Sequence, residues 1–125
     1  MLAGCGGSSL RAQSGNVIAV TERDFTIMAP KSLPAGNVVF RVRNDGPVAH
    51  ELLVVRAPRG ALPMRRDGLT VDEDRVARSE VGVLEPADAH ALRDLELRLA
   101  PGRYVMFCNM SGHFMGGMHR SLVVQ

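Results

Sequence analysis

Gly102-Arg103-Tyr104-Val105-Met106-Phe107-Cys108-Asn109-Met110-Ser111-Gly112-His113-Phe114-Met115-Gly116-Gly117-Met118-His119 is the stretch whose reading decides the fold. Its first part follows a Pro101-Gly102 turn and is an apolar run that fits a buried strand ending at Cys108. Its second part has no charged residue before Arg120. Gly112, Gly116 and Gly117 permit a tight loop that doubles back on itself. Such a loop can aim a thiolate, an imidazole and a thioether at one point.

Working outward, the chain keeps a strand rhythm. Val17 to Val20 and Phe25 to Met28 are short apolar runs, and Pro30, Pro34 and Gly36 mark a turn region. Val38, Phe40 and Val42 alternate with Val39, Arg41 and Arg43, the period of a half-buried strand. Asn44-Asp45-Gly46-Pro47 is a turn, and His50 opens a strand with Leu52 and Val54 on its face. Leu95, Leu97 and Leu99 form a further strand, and Leu122 to Val124 closes the chain. About seven strands without a βαβ rhythm predict one antiparallel β-sandwich over residues 16–125. Residues 57–80 interrupt it as a charged insertion, with Thr70-Val71-Asp72-Glu73 as a capping box before a short solvated helix at about 71–78.

The length of 125 residues allows one domain. Fourteen of the fifteen basic residues are Arg, yet the net charge is only +2 and no basic run is interleaved with aromatics, so nucleic acid is not an expected partner. The two cysteines, Cys5 and Cys108, sit in unlike surroundings, and a disulfide would tie a tail to a core strand. Leu2-Ala3-Gly4-Cys5 matches a bacterial lipobox, followed by a Gly6-Gly7-Ser8-Ser9 tether, although the apolar region that should precede it is missing. The expectation is a tether over residues 1–15, lipid attachment at Cys5, and an extracytoplasmic, membrane-anchored monomer. No segment reaches the roughly 18 apolar residues of a span.

The ligand types narrow the metal. Thiolate and imidazole suit zinc or copper, but a thioether is a good ligand for copper and a poor one for zinc. Two His, one Cys and a weak axial Met make the blue-copper set. Cys108, His113 and Met118 supply three of the four, and His50, placed where a turn enters a strand, is the candidate for the fourth. Singly, Cys108 would be read as a core cysteine, His113 as a surface residue and Met118 as packing. Together, on an uncharged glycine-rich loop, they read as one copper site. Met115 and His119 are rivals, but Met115 lies only two residues from His113, and His119 should point away from a strand neighbour. His90, in a charged Ala-rich region, is expected in solvent.

These motifs resemble the cupredoxins, the small blue copper proteins. Asn44-Asp45-Gly46-Pro47-Val48-Ala49-His50-Glu51-Leu52 resembles the family's first ligand element, and Gly102 to Cys108 with His113 and Met118 resembles the second. The Cys-x4-His-x4-Met spacing is nearest to rusticyanin, auracyanin and sulfocyanin-like members. The resemblance implies an all-β Greek-key sandwich holding one Cu(I)/Cu(II) ion through His50, Cys108, His113 and Met118. It implies that the Glu51 amide donates to the thiolate, with Asn109 also supporting the ligands. It further implies that Phe114, Met115 and Met110 form an apolar collar around His113 where redox proteins dock. The expected function is single-electron transfer between membrane-associated partners. The rival is an extracytoplasmic Cu(I) carrier using Met110, His113, Met115, Met118 and His119. An enzyme is not expected, because there are no paired His-x-His motifs and no second loop cysteine for a binuclear site.

Overall fold

In a computed structural model, residues 16–125 are described, so the expected tether and Cys5 lie outside the described residues. Among the described residues nine strands form two sheets: β1 Val17–Arg23, β2 Thr26–Met28, β3 Ser32–Leu33, β4 Gly36–Asn44, β5 His50–Arg56, β6 Glu80–Ala87, β7 Leu92–Leu99, β8 Gly102–Phe107 and β9 His119–Val124. One sheet has the order β3-β9-β8-β5-β6 and the other β2-β1-β4-β7. Pairing β4 with β7 while β5 lies beside β8 is the long-range crossing of a Greek key.

The alternation read in β4 explains the facing layers. Val38, Phe40 and Val42 join Val20, Ile27, Leu97 and Leu99 from the four-stranded sheet. They pack on Leu52, Val54, Tyr104, Met106, Cys108, Leu122 and Val124 from the other. The Tyr104 hydroxyl, buried in this layer, donates to the Ala100 carbonyl at 2.7 Å. The all-β sandwich with a short helix is as expected, and within it the sheets are mixed, with parallel pairs beside the antiparallel ones. β1 runs parallel to β4, and β3 runs parallel to β9. The chain leaves for the other sheet at β3 before returning as β4, so β4 meets β1 without a hairpin between them.

Strand β6 is not among the expected strands, and it carries Gly82 and Pro86, two residues that disfavour strands. Pro86 is tolerated because β6 is a sheet edge and needs fewer donors. Gly82 lies where a Cβ would collide with the side chains of Leu97 and Leu95, so the absent side chain lets the two sheets close there.

The insertion also differs from its expected form. Helix α1 spans only Glu73–Val76 before a 3-10 turn at Ala77–Ser79, and its N-cap is Asp72, whose carboxylate accepts the Arg75 amide. Thr70 does not cap it, because its hydroxyl is engaged with Asp67 and Arg65. Nor is the insertion a merely solvated appendage. Val71 and Val76 are buried against Leu53, Val55 and Phe107, with Leu62, Met64, Val105 and Phe114 around them. Strand β5 is therefore covered on both faces, Leu52 and Val54 inward, Leu53 and Val55 under the insertion. Among the described residues no helix is long and apolar enough to cross a membrane.

A second small core under the insertion has a measurable consequence. Leu53→Ala should cost about 2–5 kcal/mol in urea unfolding, the range for a buried Leu. A loss below about 1 kcal/mol would show that this face is not a packed core.

Candidate metal centre

The site sits at the end of the sandwich where β4 leaves and β5 enters. Asn44, buried, holds this turn: its side chain donates to the carbonyls of Val48 and Ala87 at 3.0 and 3.1 Å and accepts the Gly46 amide at 2.7 Å. The turn delivers His50, with a fully buried side chain, to the first position of β5.

Cys108 follows the last residue of β8 and belongs to the main core. The chain then doubles back. The Cys108 amide donates to the Met118 carbonyl at 3.1 Å, and the Met118 amide to the His113 carbonyl at 3.1 Å. Amides of His113, Gly116 and Gly117 bond back to Met110, Gly112 and Phe114. Gly112 and Gly117 adopt φ of 82° and 119°, a region that disfavours side chains. A Cβ at Gly117 would also press on the Phe25 carbonyl at 3.1 Å.

This folding brings His50, Cys108 and His113 together, with one ligand atom from each lying within 4.8 Å of the others. His50 Nδ1 and His113 Nδ1 are 3.2 Å apart. Cys108 Sγ lies 3.4 Å from His113 Nδ1 and 4.0 Å from His50 Nδ1. A three-ligand plane with bonds of about 2.0 Å to nitrogen and about 2.3 Å to sulfur has edges of about 3.5–3.8 Å, so the triangle fits a small first-row ion. Met118 is fully buried in the core cluster that contains Cys108. Met115 is 61% exposed. His119 is exposed and stacks on Phe114 at 4.7 Å, and His90 is exposed.

Around the triangle, the Glu51 amide donates toward Cys108 Sγ at 3.5 Å. The Glu51 carboxylate accepts the Asn109 amide at 3.1 Å. The Asn109 side chain accepts the Val71 amide at 2.6 Å and donates to the Val71 carbonyl and to Glu73. Asn109 thus ties the loop to the insertion. Phe114 is half-buried against Phe107, and Met110 packs on the main core, which leaves Met115 as the exposed member of the expected collar.

Three neighbours went unread in the sequence. Asp24, in the turn between β1 and β2, accepts a hydrogen bond from His50 Nε2 at 2.8 Å. Phe25, 39% exposed, sets its ring edgewise to His113 at 4.9 Å. Glu22 is buried in phase with Val20 on β1, and neither carboxyl oxygen has a hydrogen-bond partner. No spacing rule links Asp24 to a ligand 26 positions away. The one available signal is an acidic residue at an inward position of β1.

Burial governs the ionisation here. It pushes the Cys108 thiol up to about 11, against the pull of the Glu51 and Met110 amides and with help from the Glu22 and Glu51 carboxylates. A metal must therefore displace a proton to bind. His113 is held below the ordinary histidine range, first by burial and then by neighbouring His50, with Asp24 opposing. Its lone pair is thus available near neutral pH. Burial also raises the Glu51 carboxyl, as does nearby Glu73.

No family model matches this sequence, and no curated protein matches it. Solved structures do match. Auracyanin B superposes with a TM-score of 0.65 at 21% identity, covering 90% of each chain. Auracyanin A, a "blue" copper protein from the green thermophilic photosynthetic bacterium Chloroflexus aurantiacus, gives 0.64 at 18% identity, covering 87% of this chain and 98% of that one. Rusticyanin from Thiobacillus ferrooxidans gives 0.64 at 15% identity, covering 90% and 79%. The fold is that of the cupredoxins. Within the cupredoxin sandwich, the triangle occupies the end where β4 turns into β5 and the β8–β9 loop closes over it.

Glu22 makes the metal-free protein sensitive to pH. Burial raises its carboxyl from an ordinary 4.5 to about 8, with Arg93 opposing and Glu51 adding. The unfolded chain releases this proton first, so stability from the neutral carboxyl is complete below about 4.5 and is lost as pH rises toward 8. Denaturant midpoints of the metal-free protein should fall across that window, by at most about 1.4 kcal/mol per pH unit. Glu22→Gln should flatten the decline, and a variant profile that overlays the wild type would remove Glu22 as its cause.

Proposed function

We propose that this chain is a type 1 copper protein that carries single electrons. The observation that carries the reading is the triangle of His50 Nδ1, His113 Nδ1 and Cys108 Sγ, closed off from water at Cys108 and set beside the buried Met118. A structural zinc site would be expected to have four Cys or His ligands. Among the described residues three such donors converge, and a thioether is the available fourth, which favours copper. When bound, copper supplies the one-electron Cu(I)/Cu(II) couple.

The chain's part is to hold its donors still. Cys108 is fixed by the core and by the Glu51 amide, and His50 by Asp24. His113 rides on a loop that is hydrogen-bonded across itself. Donors that cannot relax toward the preference of either oxidation state keep the rearrangement small when an electron moves.

Of the two histidines, His113 is the one that is part-exposed, so we assign it the path to a partner. Exposed apolar side chains lie near it or its loop: Phe25 at its ring, Met115 two residues on, and Leu69, whose carbonyl accepts the Gly112 amide. Val48, also exposed, donates its amide to Asp24 beside His50. An apolar patch of this kind suits brief docking of a redox protein without local salt pairs. An extracytoplasmic monomer tethered through a lipid on Cys5 would confine that partner to the membrane surface.

The Cu(I)-carrier reading needs a thioether and imidazole cluster that can exchange metal. Met118 is sealed in the core while Met115 projects into solvent, so the methionines do not share one environment. Adding Cu(II) to the purified protein decides between the two. A thiolate-bound carrier should give an intense visible band near about 600 nm, alone or with a second band of green type. Cys108→Ser should abolish it. A nearly colourless wild-type product would overturn the electron-carrier reading in favour of the Cu(I) carrier.

A further inference from the structure

We propose that Asp24 is a positioning residue for the metal centre, fixing the imidazole of His50 through a carboxylate hydrogen bond and favouring the more highly charged state of the bound metal. The inference rests on the copper reading for its second half and on geometry alone for its first.

Asp24 Oδ1 lies 2.8 Å from His50 Nε2, the ring nitrogen that faces away from the triangle. The pair is shielded: the His50 side chain is fully buried and that of Asp24 is 19% exposed. A carboxylate accepts and does not donate, so the bond places a proton on Nε2 and leaves the lone pair of Nδ1 toward Cys108 and His113. It also fixes the ring plane, because the carboxylate is itself held. Oδ1 accepts the Val48 amide at 3.4 Å, and the Asp24 amide donates to the Gly46 carbonyl at 3.4 Å. The turn that delivers His50 thus also grips the residue that orients it.

His113 is treated differently. Among the described residues no protein group bonds its far nitrogen, and Phe25 and His50 set their rings edgewise to it. The two imidazoles are therefore unequal. One is anchored to a shielded anion and the other is free to face a partner. Negative charge on the far side of an imidazole strengthens it as a donor and stabilises the higher-charged ion at its near side. A neutral acceptor in the same place would orient the ring without that bias.

Asp24→Asn separates the two contributions, since its amide oxygen can still accept from His50 Nε2 and the Val48 amide but carries no charge. Thermal melting of the metal-free variant should match the wild type. At fixed pH and ionic strength, competition with chromophoric chelators should show Cu(II) affinity reduced at least tenfold more than Cu(I) affinity. The visible band should remain, and spectroelectrochemistry should show the potential raised by about 59 mV for each tenfold change in the affinity ratio. Asp24→Ala, which removes the acceptor as well, should lose a further share of Cu(II) affinity. Zn(II), which exchanges no electrons, provides an independent arm, with affinity expected to fall about 10–100-fold in the Ala variant.

Unchanged Zn(II) affinity in Asp24→Ala would overturn the positioning role. An unchanged ratio of copper affinities and an unchanged potential in Asp24→Asn would overturn the charge effect. A wild-type protein without a thiolate band would defeat the copper reading instead, and the Zn(II) arm would still decide whether Asp24 positions His50.

Discussion

The hydrogen bond from the Cys108 amide to the Met118 carbonyl is the contact on which the rest of this end of the molecule depends. It closes the β8–β9 connection at its base, in register with the ladder that begins at His119 and Phe107. Without that closure, Cys108 could not remain in the core while the residues after it turn outward to present His113. The closed loop is short and must reverse within a few residues, which is why glycines occupy the positive-φ positions at 112 and 117. Burial of the thiol follows from the same placement. The cost of an anion in that environment appears as a raised Cys108 pKa, and a cation is what can offset it.

The insertion contributes by holding the far side of this loop. Asn109 accepts from and donates to the backbone of Val71 and donates to Glu73, while its own amide reaches Glu51. One buried residue, the one after Cys108, thus couples its own segment to the residue after His50 through its backbone and to the start of helix α1 through its side chain. The hydrophobic counterpart is the packing of Val71 and Val76 on Leu53, Val55 and Phe107. Both sets of contacts resist displacement of the Cys108 backbone. A donor set that cannot relax is what a one-electron carrier requires, so the charged segment that looks peripheral in sequence lies within the structural support of the site.

What could be read from sequence and what could not divides along physical lines. The strands of the main core were legible where side chains alternate, as at Val38, Phe40 and Val42, because period two is imposed by one buried face. His50, Cys108, His113 and Met118 were legible as a set because ligand chemistry and glycine spacing are local properties of two short segments. Strand β6 was not, because its Gly82 and Pro86 answer to a neighbouring sheet and to an edge position, neither of which is local. The parallel pairings were invisible for the same reason. Asp24 and Phe25 reach the site only through the pairing of β1 with β4, which sets Glu22 beside Asn44 and so brings the next turn over His50. A contact made by topology leaves no mark in residue spacing.

That topological contact also shapes the electrostatics. Glu22, Asp24 and Glu51 all lie at the metal end, and Arg93 is the basic residue placed among them, its guanidinium reaching the carbonyls of Glu85 and His50. Burial makes Glu22 favour its neutral form, with Arg93 opposing and Glu51 adding, and burial raises the Glu51 carboxyl as well. Asp24 is the acidic member in direct hydrogen bond with a candidate ligand. The interior therefore offers carboxylates that can give up charge when no cation is present, together with one that stays bonded to an imidazole. A cation in the triangle would lower the cost of ionising Cys108, Glu22 and Glu51 together, so metal affinity and the protonation of this end of the sandwich are linked through the same few groups.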